Sequence, residues 1–114
     1  MKLNEQHCEP CAAGGSPLSR DEAEELHRQV PQWRLKDKQI IREYRLKDFR
    51  QAIEFVNQVA DVAEDQDHHP DVYIYYNKVH LTLSTHKIGG LSKNDFILAA
   101  KIDELVAEPQ AAIL

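Results

Sequence analysis

Apolar residues recur along the chain with two different periods, and the switches between them set out an order of elements. Ser19 and Glu22 form a Ser-x-x-Glu capping box, and Ala23, Leu26, His27 and Val30 follow at helical spacing until Pro31 stops the run, predicting a short helix. Residues 33–35 and 39–46 suit extended chain, with Lys36-Asp37-Lys38 between them as a turn. Asp48 can cap the next segment, where Phe49, Ala52, Ile53, Val56, Val59, Ala60 and Ala63 recur at steps of three and four, predicting a helix to about Glu64. Residues 72–76 and 79–85 are rich in β-branched and aromatic side chains and alternate in polarity, so they read as a hairpin with Asn77-Lys78 as its two-residue turn. After Gly89-Gly90, Ser92 and Asp95 make an acidic variant of the capping box, and Leu98, Ala99, Ile102, Leu105 and Val106 predict a third helix that ends before Pro109.

The order is α-β-β-α-β-β-α, an α+β class. Each strand pair has one apolar face and each helix one apolar stripe, so the expected architecture is a four-stranded antiparallel sheet with three helices on one face. Residues 1–18 carry Gly-Gly-Ser-Pro punctuation and no periodicity, so they read as a flexible arm outside the core; the domain is placed at 19–108 and a tail at 109–114.

Composition fits this picture. With 114 residues, 42% hydrophobic and 29% charged, the chain has room for one packed domain. A net charge of -5 without a basic stripe argues against direct nucleic-acid binding. No apolar run approaches the roughly 20 residues of a membrane span, and Met1 to Glu9 is polar where a signal peptide is apolar, so a cytoplasmic protein is expected. Cys8 and Cys11 form a C-x-x-C without the second half of a zinc site, and the Ala-Ala-Gly-Gly-Ser-Pro after them does not open a redox helix; they read as two reduced thiols on the arm.

The candidate chemistry lies in histidines. With a turn at Asn77-Lys78, opposed residues of the second hairpin have numbers adding to 155; Tyr75 then faces His80, and the extrapolated register sets His69 opposite His86. His68, one residue earlier, points elsewhere unless the chain kinks before Pro70. Imidazoles titrate near neutral pH, so a cluster of them can offer an acid and a base together, which suits adding or removing water. Glu64, Asp65 and Asp67 stand just upstream, where a carboxylate could orient one imidazole. Three imidazoles plus water are also a catalytic zinc set, and zinc is the second reading. His27 reads as helix surface, His80 as a strand residue beside Tyr75, and His7 as arm.

The segment Glu64-Asp-Gln-Asp-His-His-Pro-Asp-Val-Tyr, followed by Tyr-Asn-Lys-Val-His-Leu-Thr-Leu-Ser-Thr-His86 and Gly-Leu-Ser-Lys-Asn-Asp95, resembles the pterin-4a-carbinolamine dehydratases. The likeness extends to Trp33 and to the order of elements, over about residues 19 to 107. It implies dehydration of 4a-hydroxytetrahydropterin to quinonoid dihydropterin, the recycling step after an aromatic amino-acid hydroxylase, with no metal and no cofactor because the pterin is the substrate. It implies His68, His69 and His86 as the active-site histidines, with Glu64, Asp95 and Trp33 around the pterin. Ser84 and Thr85, on the strand leading to His86, are further candidates for hydrogen bonds to the flat pyrimidine edge. Some members in animals bind a homeodomain transcription factor and some relatives act as assembly chaperones, so an interaction function is the rival reading. An exposed edge strand leads us to expect a homodimer or homotetramer.

Overall fold

A computed structural model of the chain describes residues 2–9, 16–106 and the backbone of 112–113. Within them lie α1 (Arg20–His27), β1 (Arg34–Lys36), β2 (Gln39–Arg45), α2 (Phe49–Gln66), β3 (Asp71–Tyr75), β4 (Lys78–Leu83), α3 (Lys93–Leu105) and the two-residue β5 (Ala112–Ile113). The expected α-β-β-α-β-β-α order holds. The strands form one antiparallel sheet in the order β1-β2-β4-β3, and β5 pairs with Tyr44 and Arg45 of β2. Two residues of the segment read as a tail therefore extend the sheet. No helix among the described residues is long and apolar enough to cross a membrane.

Period-2 patterning decides which sheet face is covered. Val79, Leu81 and Leu83 of β4 are buried, as are Ile40, Arg42 and Tyr44 of β2, which stand opposite them. They pack with Ala52, Phe55 and Val59 of α2 and Phe96, Leu98, Ala99 and Ile102 of α3 in one core. Arg42 is the exception in polarity on this face, and its guanidinium bonds Asp103 of α3 at 2.7 Å while lying 4.4 Å from the centre of the Tyr44 ring. The same Asp103 oxygen accepts from the Trp33 indole and the Tyr44 hydroxyl, each at 2.8 Å. Burial, then the charge of Asp103, pushes the Tyr44 phenol well above its ordinary range.

Four expectations need correction. The second hairpin turns at Tyr76-Asn77, and its opposed residues add to 153: Val72 faces Leu81, Tyr73 faces His80 and Tyr75 faces Lys78. Asn77 is held in the loop because it bonds Leu46 twice, accepting from its N–H at 2.8 Å and donating to its carbonyl at 3.1 Å. Tyr76 consequently takes a positive φ of 54°. Second, α2 runs two residues beyond Glu64, because Gln66 extends the buried face of Val59 and Ala63 by another turn. Third, residues 2–9 of the expected arm pack on the domain: Leu3 and Cys8 join the core, and Leu3–Glu5 forms a 3₁₀ turn. Fourth, Trp33 is 1% exposed and committed to Asp103, so its ring offers no open face to a bound pterin. Cys11 lies outside the described residues.

Candidate active site

Three chain segments deliver the candidate residues. The first is the end of α2, where Asp67 adopts the left-handed conformation at φ 50° and the N–H of His68 returns to the carbonyl of Ala63 at 3.1 Å. Aspartate tolerates that conformation better than most residues, and it stops the helix so that His68 and His69 leave it in succession. The second is the start of α3, where the Ser92 N–H donates to Asp95 Oδ2 at 3.0 Å, placing Asp95 in the first helical turn. The third is the loop from Thr85 to Gly90, closed by reciprocal backbone bonds between those two residues at 2.8 and 3.3 Å. His86 opens a 3₁₀ turn within it, and Gly89 ends that turn at φ 70°, where a side chain would be strained.

Asp95 is the hub. It is fully buried, and its Oδ1 lies 2.6 Å from His68 Nε2 while Oδ2 accepts from the Thr85 hydroxyl at 2.8 Å. Thr85 has one hydroxyl hydrogen, so the 2.8 Å contact with Ser92 Oγ is a bond donated by Ser92. A directed chain results, from Ser92 through Thr85 to Asp95 and on to the His68 imidazole. With the carboxylate accepting, His68 carries a hydrogen on Nε2. His69 repeats the arrangement in the open: its Nε2 is 2.5 Å from Glu64 Oε2, with side chains 54% and 76% exposed.

The structure thus gives each of His68 and His69 its own carboxylate, and sets Thr85, the residue before the exposed His86, on Asp95. It does not reproduce the expected His69-to-His86 pairing, since the register shifted by two residues moves 86 away from 69 and both lie outside β3 and β4. Ser84 is half-buried between β4 and Thr85, and the Thr85 hydroxyl is already spent on Asp95. Among the described residues no three His, Cys, Asp or Glu side chains converge as a metal would need. A cleft of about 910 Å³ runs between α1, the β1–β2 turn and Gly89 to Leu91, and none of the three histidines lines it. The chemistry is better sought at the two pairs, where an imidazole stands against a carboxylate.

Two residues of this region escaped the sequence reading, Gln66 and Asn94. Both are buried polar side chains, 5% and 8% exposed, beside the site residues. Helical spacing from Val59 and Ala63 was the signal that could have found Gln66, since it marks that position as inward-facing within an otherwise acidic run.

Residues 16–105 match the family model described as pterin 4 alpha carbinolamine dehydratase. A Rubrobacter xylanophilus protein provisionally named pterin-4-alpha-carbinolamine dehydratase is 44% identical over 105 residues, spanning 91% of this chain and 98% of its own. A Halorhodospira halophila protein of the same provisional name is 45% identical over 94% of this chain and its own full length. In structure, the transcriptional coactivator/pterin dehydratase of Brucella melitensis superposes with a TM-score of 0.76 at 33% identity, covering 81% of this chain and all of that one. A pterin dehydratase-like RuBisCO assembly factor of the alpha-carboxysome shares the fold alone, at a TM-score of 0.55 and 19% identity. Model match, identity and fold agree, and the chain belongs to the pterin-4-alpha-carbinolamine dehydratase family.

Proposed function

We propose that this chain is a hydro-lyase that converts 4a-hydroxytetrahydropterin to quinonoid dihydropterin and water by histidine acid–base chemistry without a metal. The observation that carries the reading is the His68–Asp95 bond at 2.6 Å with a wholly buried carboxylate, an orienting arrangement suited to proton transfer. In the step itself an imidazolium, that of His69 or His86, protonates the 4a-hydroxyl. The C4a–O bond breaks as the lone pair of the adjacent ring nitrogen forms the C=N bond, and water leaves. A neutral imidazole then removes the proton from that nitrogen, so one proton is given, one is taken, and the enzyme needs no external oxidant. His68, fixed by Asp95, binds the pterin or shares one of these roles.

Several further assignments belong to this reading. Glu64 orients His69, and Asp95 with Thr85 fixes the position of His68, while the neighbouring Ser84 borders the pterin. The activity follows an aromatic amino-acid hydroxylase in the cytoplasm. The protein works as a homodimer or homotetramer, built by pairing of edge strand β3. That strand is outermost in the sheet, and Val72, Tyr73, Ile74 and Tyr75 are all exposed along it, an apolar edge that a monomer would leave as an aggregation site.

The test is to generate 4a-hydroxytetrahydropterin with an aromatic amino-acid hydroxylase and follow quinonoid dihydropterin by absorbance, with wild type, His69→Ala and His86→Ala, each with and without chelator. The expected result is chelator-resistant acceleration that falls about 100-fold or more in the variants. Wild type no faster than buffer would end the dehydratase reading, and loss of activity to chelator alone would replace the acid–base mechanism with a metal-based one.

A further inference from the structure

The His68–Asp95 pair joins two elements that are not adjacent in sequence, the end of α2 and the start of α3, so something must fix the distance between them. Residues 2–9 run along α3 from its last turns toward its first. Asn4 Nδ2 donates to Glu104 and its carbonyl accepts from Lys101 at one end, while Cys8 and Glu9 reach Asn94 at the other.

At that second end the contacts divide between the helices. The Cys8 N–H donates to Gln66 Oε1 of α2 at 2.8 Å, and the Glu9 N–H donates to Asn94 Oδ1 of α3 at 3.0 Å. Asn94 Nδ2 returns a bond to the Glu9 carbonyl at 2.5 Å, so its amide pairs with both backbone groups of one residue. Gln66 uses its remaining hydrogens on His7 Nδ1 at 3.1 Å and Asp65 at 2.9 Å. Gln66 lies two residues before His68 and two after Glu64; Asn94 immediately precedes Asp95.

We propose that Gln66 and Asn94 are positioning residues for the dehydration: by gripping the consecutive residues Cys8 and Glu9, they tie the end of α2 to the start of α3 and set the His68–Asp95 hydrogen bond. The inference rests on the reading of that pair as part of the active site. Buried side-chain amides whose bonds are satisfied hold geometry tightly, and a reacting group displaced by about 1 Å can lose about 100-fold in rate. This strap, residues 2–9, acts through its bonds to the two helix ends.

The experiment compares the full chain with Asn94→Ala, Gln66→Leu and Glu9→Pro, with Glu104→Gln as the control at the far end of the strap. Glu9→Pro deletes one donor N–H and alters neither helix, so it carries the test if a helix variant does not fold. Two readouts are taken: kcat and KM separately, and the His68 ring signals by nitrogen-15 NMR. Expected are a fall in kcat of about 10- to 100-fold with KM within about two-fold, and displaced His68 signals, in the three strap variants but not in the control. His68 signals that stay at their wild-type positions in folded strap variants would overturn the proposal, as would a loss confined to KM. Should wild type prove inactive, the dehydratase reading falls by itself, and the NMR comparison still decides whether the strap sets the pair.

Discussion

His68 Nε2 and Asp95 Oδ1 lie 2.6 Å apart across the junction of α2 and α3, an imidazole 12% exposed on a carboxylate that water does not reach. Asp95 also accepts from Thr85 and from the Ser92 backbone, so its two oxygens serve three donors. Asp95→Asn turns an amide NH₂ toward at least one of those donors. The variant should lose about 1 to 3 kcal/mol of stability and, once folded, about 10- to 100-fold in kcat. Urea unfolding and the absorbance assay measure the two separately; full activity in Asp95→Asn would remove the pair from the mechanism.

The second imidazole–carboxylate pair separates function from stability. His69 and Glu64 are both exposed, where an ion pair contributes between about 0 and 1 kcal/mol. Glu64→Gln and His69→Ala should therefore unfold within about 0.5 kcal/mol of wild type while His69→Ala loses most of the rate. A large drop in stability with the rate preserved would mark this pair as structural.

Tyr44 makes stability depend on alkaline pH. Its folded phenol is held above the ordinary value, first by burial and then by Asp103, so the folded chain keeps a proton that the unfolded chain releases. The contribution is complete below about pH 10, the unfolded value, and is lost as pH rises beyond it at about 1.4 kcal/mol per unit. Tyr44→Phe should be less stable at neutral pH, lacking the bond to Asp103, yet show a shallower decline above about pH 10. Equal slopes in urea unfolding of the two proteins would contradict this account.

The turn of the second hairpin stores strain that can be removed. Tyr76 holds a φ of 54° and is 68% exposed, so it packs little in return. Tyr76→Gly should raise stability by about 0.5 to 1 kcal/mol, read as a higher urea midpoint with an unchanged slope.

That same turn shows what the sequence could and could not disclose. Alternation fixed the faces of β3 and β4 correctly, because a register moved by two residues leaves every side chain on its own side of the sheet. It could not fix the register itself. The bonds between Asn77 and Leu46 that set it cross 31 residues, and Tyr76 has no turn preference to announce. At the site, His68, His69, Glu64 and Asp95 were all visible as residue types at suggestive spacings. Which carboxylate meets which imidazole depends on how the end of α2 packs against α3, and nothing in either segment alone specifies that. Trp33 was legible as important and misjudged in place, since the partner that buries its indole, Asp103, lies 70 residues away. The amphipathic helices read well because periodicity is local; the docked segment around Leu3 and Cys8 did not, having no period at all.

The attachment of Cys8 and Glu9 also bears on the order in which the molecule is assembled. Their side-chain anchors sit 58 and 85 positions further along, so the loops they close are among the longest the chain makes. Because both partners lie C-terminal to them, these residues have nothing to hold until both long helices have been synthesised and packed. An earlier stretch of chain thus waits for two later ones, and the junction beside His68 and Asp95 is fastened only when all three have come together.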